Sequence, residues 1–120
     1  MQEFVKYIEE SVEKLEREEK MLADSDRKDE ANLVKIRINI YGICKTVWQV
    51  VVQGQAKDDA GTENSLSDVY LQRMASVSRN WRVSYEKAKE YNDVEKLVIE
   101  EIKLETLEEI KRKFREICEE

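Results

Sequence analysis

The sequence predicts an all-α protein, an antiparallel bundle of four long helices, on three observations. Its 120 residues include no proline and only three glycines, and those are the two residues that break or weaken helix interiors. Apolar residues recur three and four positions apart in four separate segments, which is the spacing of one helix face. Small and polar residues suited to turns stand between the segments. A chain of this length is one domain by default, residues 1–120, and it buries about two thirds of its unfolded surface without needing disulfides or metal.

The first helix is expected from about Gln2 to Ala23. Phe4, Ile8, Ser11, Leu15, Glu18 and Leu22 alternate in steps of four and three, and Val5 and Val12 widen the stripe. Almost everything else in the segment is charged, so this helix buries one side only. Ion pairs such as Glu10–Lys14, Glu13–Arg17 and Glu16–Lys20 suit its solvated face. The polar run from Asp24 to Glu30 makes a turn, with Asp26 or Asp29 as the cap of the next helix.

The second helix is expected from about Asp29 to Gln53. Leu33, Ile36, Ile40, Ile43, Val47 and Val50 form one stripe, and Val34, Ile38, Tyr41, Trp48 and Val52 form another beside it, interrupted by Lys45. The stretch from Ala31 to Ala56 contains no Asp or Glu, although these supply 27 residues of the chain. Its β-branched residues and a local alternation over Lys35–Ile40 also fit a strand. The three–four spacing persists for about five turns, however, whereas a strand needs at most ~10 residues.

Gly54 to Ser65 reads as the longest loop, and Ser65 with Asp68 resembles a capping box at the start of the third helix. That helix carries Tyr70, Met74, Val77, Trp81, Ser84, Ala88 and Tyr91 on one face. Asn92 suits the left-handed residue that ends a helix, and Asp93 suits the next cap. The fourth helix follows with Ile99, Ile102, Thr106, Ile110, Phe114 and Ile117, flanked by Val98 and Leu107. If the short turn between them is a kink, the last two helices are continuous and the bundle has three.

Charged residues make up 40% of the chain and the net charge is −6. An acidic field of this kind repels polyanions, which argues against nucleic acid as a partner. The charge is uneven: residues 25–57 hold 6 bases against 3 acids, and acidic segments flank them. This suggests attraction between neighbouring helices. No run approaches the ~18 apolar residues of a membrane span, so no membrane association is expected. Cys44 and Cys118 form no CxxC pair and no disulfide framework. The expected setting is cytoplasmic, with both thiols reduced.

There is no histidine, which removes Ser-His and Cys-His catalysis, the usual zinc sites and the Glu-x-x-His ligands of di-iron bundles. No P-loop or GxGxxG occurs. Carboxylates at Glu10, Glu13 and Glu16, and at Glu90 and Asp93, have spacings that suit Mg²⁺, but they stand on charge-rich faces and fit ion-paired surface better. Asp24, Asp26, Asp29 and Glu30 lack the glycine of a calcium loop. Trp48 and Trp81 suit mutual packing in the core, Cys44 a small buried residue, and Arg73, Arg79 and Arg82 pairing with acidic helices.

The second helix is apolar over more of its circumference than a peripheral bundle helix needs. Tyr41, Trp48, Val51 and Val52 are therefore the candidate interface. Lys35, Asn39, Thr46, Gln49 and Gln53 form a narrow polar strip that suits solvent, or a small ligand if turned inward. The expectation is a non-enzymatic, cofactor-free helical protein that self-associates, as a homodimer or coiled coil, or binds another protein through its second helix. The alternatives are a Mg²⁺-dependent all-α enzyme resembling nucleotide pyrophosphohydrolases and a regulatory small-ligand binder.

Overall fold

Four helices pack against one another: α1 (Gln2–Asp24), α2 (Lys28–Asp58), α3 (Glu63–Glu90) and α4 (Val94–Glu119). The computed structural model describes residues 2–58 and 63–119, and no strand occurs among them. The junction of α3 and α4 is a turn, so among the described residues the helices number four and not three.

Two expectations about boundaries are corrected. The region from Gly54 to Ser65 is mostly helical, because α2 continues to Asp58 and α3 begins at Glu63. Only residues 59–62 of the expected loop lie outside the described residues. Glycine in a helix costs only about 1 kcal/mol relative to alanine, and Gly54 adopts no positive φ, so α2 runs through it. Ser65 accordingly falls inside α3 and not at its cap. At the other junction neither Asp26 nor Asp29 caps α2. Asp26 is itself the left-handed residue that ends α1, with φ 61°, and Asp29 stands in the first turn of α2.

The two α–α turns are the same structure. After α1, the Arg27 amide donates to the Leu22 carbonyl at 2.8 Å and the Asp26 amide to Ala23 at 3.1 Å. After α3, the Asp93 amide donates to Ala88 at 2.9 Å and the Asn92 amide to Lys89 at 3.3 Å, with Asn92 at φ 55°. Both are Schellman ends, in which a left-handed residue lets its own amide and the next one satisfy orphan carbonyls.

The correspondence extends through both helix pairs at a constant offset, 92 − 26 = 66. Phe4 matches Tyr70, Ile8 matches Met74, Trp48 matches Phe114 and Cys44 matches Ile110, and all eight are buried. Val34 matches Glu100, Ile40 matches Thr106 and Tyr41 matches Leu107, again all buried. The chain thus holds two helix–turn–helix pairs, α1–α2 and α3–α4, with a shared pattern of burial.

Packing follows the same division. α1 lies mainly on α2 and α3 mainly on α4, while α2 packs against every other helix and α1 barely meets α4. Four rings, one from each helix, join the two helix pairs. Phe4, Trp48, Tyr70 and Phe114 make all six pairwise contacts, with centroids from 4.7 Å (Tyr70–Phe114) to 5.9 Å (Phe4–Trp48). Edge-on pairs of this kind add about 0.5–1.5 kcal/mol each beyond the area they bury. The Tyr70 hydroxyl donates to the Cys44 carbonyl at 2.9 Å, so this buried phenol has an acceptor. Trp48 and Trp81 make no ring contact among the described residues; Trp81 is half-buried at the edge of the core. The radius of gyration, 16.1 Å, and extents of 49 × 35 × 23 Å describe an elongated body. A compact sphere of this length has a radius of gyration of about 13.5 Å.

Candidate functional site

Three of the four candidate interface residues are taken up by the fold. Tyr41, Trp48 and Val51 are each at most 5% exposed. Trp48 is enclosed by rings from α1, α3 and α4, and the Tyr41 hydroxyl bonds that of Tyr7 at 3.1 Å. Val52 is half-buried and, with Val5, Leu66 and an edge of Trp48, lines a groove between α1 and α3 whose rim carries Lys6 and Glu9. Because α2 packs on three helices, its inward arc is wide and absorbs the Tyr41–Trp48 stripe.

The surface that α2 leaves exposed lies on its other side. Ile43 is 37% and Val50 52% exposed. Between Ile38 and Gly54 every exposed residue of α2 is uncharged: Asn39, Gly42, Ile43, Thr46, Gln49, Val50, Gln53 and Gly54. The polar strip therefore faces outward, since Lys35, Asn39, Thr46, Gln49 and Gln53 are all exposed. Its residues are interleaved with Ile43 and Val50 and do not line an enclosed cavity. A shallow depression there is bounded by Ile38, Asn39, Gly42, Ile43, Thr46 and Val47. A Cβ added to Gly42 would meet nothing within 4 Å, so neither the fold nor a neighbouring side chain requires glycine at that point.

The second helix pair provides an internal control. At the positions matching Asn39, Gly42, Ile43, Thr46, Gln49 and Val50, α4 carries Glu105, Glu108, Glu109, Arg112, Arg115 and Glu116, and all twelve residues are exposed. Equivalent positions thus bear charge throughout in one helix pair and nowhere in the other. The architecture accepts charge there, so the fold does not require its exclusion from α2.

Lys45, half-buried at the edge of this face, turns to Glu9 of α1 at 3.3 Å, and Lys35 reaches Glu19 at 3.6 Å. These are the α1–α2 attractions expected from the charge distribution. They are exposed pairs worth a fraction of a kcal/mol each. Along α1 the closed pair is Lys6–Glu10 at 3.9 Å; the three expected pairs from Glu10, Glu13 and Glu16 do not close among the described residues.

Elsewhere the polar groups are accounted for by packing. Tyr7 and Tyr41 pair beside α4, with the Lys113 ammonium 5.9 Å from the Tyr7 ring centroid. Burial raises the pKa of both phenols. Burial also pushes the Cys44 thiol up to about 12, which removes its thiolate and its reactivity at neutral pH. Cys118 is exposed and lies 3.3 Å from Ser67. Glu10, Glu13, Glu16, Glu90 and Asp93 are exposed, and no group of three or more metal-ligating side chains gathers among the described residues. Of Arg73, Arg79 and Arg82, the one with a closed ion pair is Arg82, 3.8 Å from Glu108. Glu100, which the sequence did not single out, is buried; one carboxylate oxygen holds Lys103 at 3.1 Å and the other has no partner.

No family model matches the chain, and neither a curated protein nor a solved structure does. The α2 face therefore stands on its own geometry. Among the described residues no helix is long and apolar enough to cross a membrane.

Proposed function

We propose that the protein is a non-enzymatic association module whose outward α2 face docks another polypeptide. The observation that carries this is the contrast between equivalent exposed positions, uncharged from Asn39 to Val50 and fully charged from Glu105 to Glu116. In a chain with 40% charged residues, an uncharged exposed face leaves apolar surface in water that the fold does not require. Exposed patches of this sort mark interaction surfaces, and depletion of charge is the compositional mark of an interface core.

The proposal takes the protein as one domain in which helices adjacent in sequence run antiparallel. In support, contacts between α1 and α2 descend one helix as they climb the other: Phe4 meets Trp48, Glu9 meets Lys45 and Glu19 meets Lys35. Contacts between α3 and α4 do the same, with Ser67 at Cys118 and Arg82 at Glu108. A cytoplasmic setting is also part of the proposal. The two unpaired thiols, Cys44 and Cys118, fit a reducing compartment.

Covalent footprinting tests the reading. Ile43 and Val50 are expected to be protected in concentrated extract of the native cell and labelled in dilute purified protein. Equal labelling in both overturns it. The variant Ile43→Glu/Val50→Glu, which copies the residues of α4, is expected to melt within about 2 °C of the parent at low micromolar concentration, because exposed substitutions are worth only about 0.5 kcal/mol. A fall larger than about 5 °C places the two residues in the fold itself and removes the argument.

A further inference from the structure

We propose that the occupant of the α2 face is a second copy of this chain, packed α2 against α2 about a two-fold axis that passes beside Ile43. This rests on the association reading above and adds the identity of the partner.

Charge argues first. Each copy carries a net −6, so two copies repel over most approaches, and the uncharged stretch of α2 lets them meet without burying an ion or opposing like charges. A partner selected by opposite charge would be matched by charges at the centre of this face, and its exposed residues from Asn39 to Gln53 carry none. Hydrogen-bonding chemistry argues second. The polar side chains here are amides and a hydroxyl, Asn39, Thr46, Gln49 and Gln53. Each is both donor and acceptor, and can pair with its own kind across a symmetry axis.

Spacing argues third. Ile36, Asn39, Ile43, Thr46, Val50 and Gln53 alternate in steps of three and four, placing apolar residues one heptad on either side of Ile43. A two-fold at Ile43 brings this residue onto its own copy, whichever way the helices run, and the outer contacts are Ile or Val on Ile or Val. β-branched residues at one seam position favour two-stranded pairing. Gly42, with open space where its Cβ would be, leaves a recess beside Ile43 for the partner's side chain. A two-fold contact is also the commonest closed solution for like subunits.

The stripe from Ile36 to Gln53 is about 27 Å long and one helix wide, which is less than the roughly 800 Å² per partner of a standard interface. The dimer is therefore weak, with a dissociation constant on the order of 10–100 µM, about four to five decades above the nanomolar complexes built on standard areas. Salt strengthens it, because screening relieves the repulsion between two acidic bodies while the uncharged contact is unaffected.

Sedimentation velocity from about 5 to 500 µM, spanning that range, in low and high salt, tests the proposal. The chain is expected to shift from monomer to dimer with concentration, more so at high salt, and Ile43→Glu/Val50→Glu is expected to weaken the dimer at least about tenfold. On a Cys118→Ser background, Ile43→Cys is expected to form a disulfide-linked dimer under mild oxidation, where Val83→Cys, exposed on α3, does not. A monomer at every concentration and salt overturns the second copy. If Ile43 and Val50 are then still protected in cell extract, the association reading survives with a different partner. If their substitution by Glu lowers the melting temperature of the dilute protein, both readings fall.

Discussion

Val34 and Glu100 occupy the same place in the two helix pairs, and both are buried, at 4% and 5% exposure. The fold thus asks for an apolar residue and α4 supplies a carboxylate, held on one side by Lys103 and unpartnered on the other. A buried acceptor without a bond costs about 1–3 kcal/mol, and replacing a buried ion pair member by hydrocarbon of similar size is often stabilising when the partner can reach water. Lys103 is half-buried and can extend outward. Glu100→Val is therefore expected to stabilise the protein by about 1–2 kcal/mol, raising the melting temperature by roughly 3–8 °C. The mirror substitution Val34→Glu is expected to cost at least about 3 kcal/mol, since it buries a charge with no partner in place. A loss of stability in Glu100→Val of more than about 1 kcal/mol would mean that the carboxylate is held by bonds not seen in this structure.

The four-ring cluster makes a graded expectation. Phe4→Ala removes a ring that touches Trp48, Tyr70 and Phe114, and because α1 and α3 approach there through side chains it also removes their link. The expected cost is about 3–5 kcal/mol. Tyr70→Phe keeps every ring contact and deletes only the bond to the Cys44 carbonyl, with an expected cost of about 1 kcal/mol. Urea unfolding of the two variants checks the order, and similar losses in both would contradict the assignment of stability to the rings.

Much of this core is legible in the sequence because its signal is local. Phe4 and Ile8, Tyr70 and Met74, and Ile102, Thr106, Ile110 and Phe114 sit on three–four stripes that project inward as the spacing requires. Asn92 reads as a helix end because few other residues tolerate a left-handed backbone. Asp26 misleads because aspartate suits both that conformation and a cap. The α2 surface was harder to place. Two adjacent stripes are apolar, and only tertiary packing decides that Tyr41 and Trp48 turn inward while Ile43 and Val50 do not. The repeat is hidden for a different reason. At the offset of 66 only Ile36/Ile102 and Lys45/Lys111 are identical, so what the two helix pairs share is burial and not residue identity. Glu100 is hidden by abundance, one glutamate among many on an acidic helix.

The buried thiol and phenols give stability a definite alkaline limit. Burial raises Cys44 to about 12 from an ordinary 9.0 and holds Tyr7, Tyr41 and Tyr70 above the usual phenol range of about 10. These acids bind their protons more tightly when folded. Above the unfolded values the unfolded chain releases protons that the folded one keeps, so their contribution is intact below about pH 9 and is lost as pH rises beyond it. Stability is expected to fall from about pH 9 upward, and Tyr7→Phe/Tyr41→Phe is expected to flatten that fall above pH 10. Thiol labelling reads the same asymmetry: Cys118 is expected to react at once near pH 8, and Cys44 only at the rate at which the bundle opens. Rapid labelling of both would remove the burial on which the pH dependence rests.

The equivalence of the two turns can be tested by transplanting one residue. Asp93 begins α4 with its carboxylate accepting the Lys96 amide at 3.2 Å and its carbonyl accepting the Leu97 amide. Arg27 holds the same place before α2: its carbonyl accepts the Ala31 amide at 3.0 Å, but its side chain pairs with Glu30 and has no oxygen to offer the free amides of the first turn. Arg27→Asp is expected to supply the missing cap and place a negative charge at the positive end of α2, gaining about 0.5–1.5 kcal/mol. The exposed Arg27–Glu30 pair lost in exchange is worth a fraction of that. Asp93→Ala is expected to cost a similar amount, and Asp26→Gly to gain about 0.5–1 kcal/mol by relieving a left-handed backbone that a side chain strains. Thermal melts of the three variants decide the matter. If Asp93→Ala destabilises while Arg27→Asp gains nothing, the two junctions are alike in backbone only, and the first amides of α2 already find acceptors that the cap cannot improve upon.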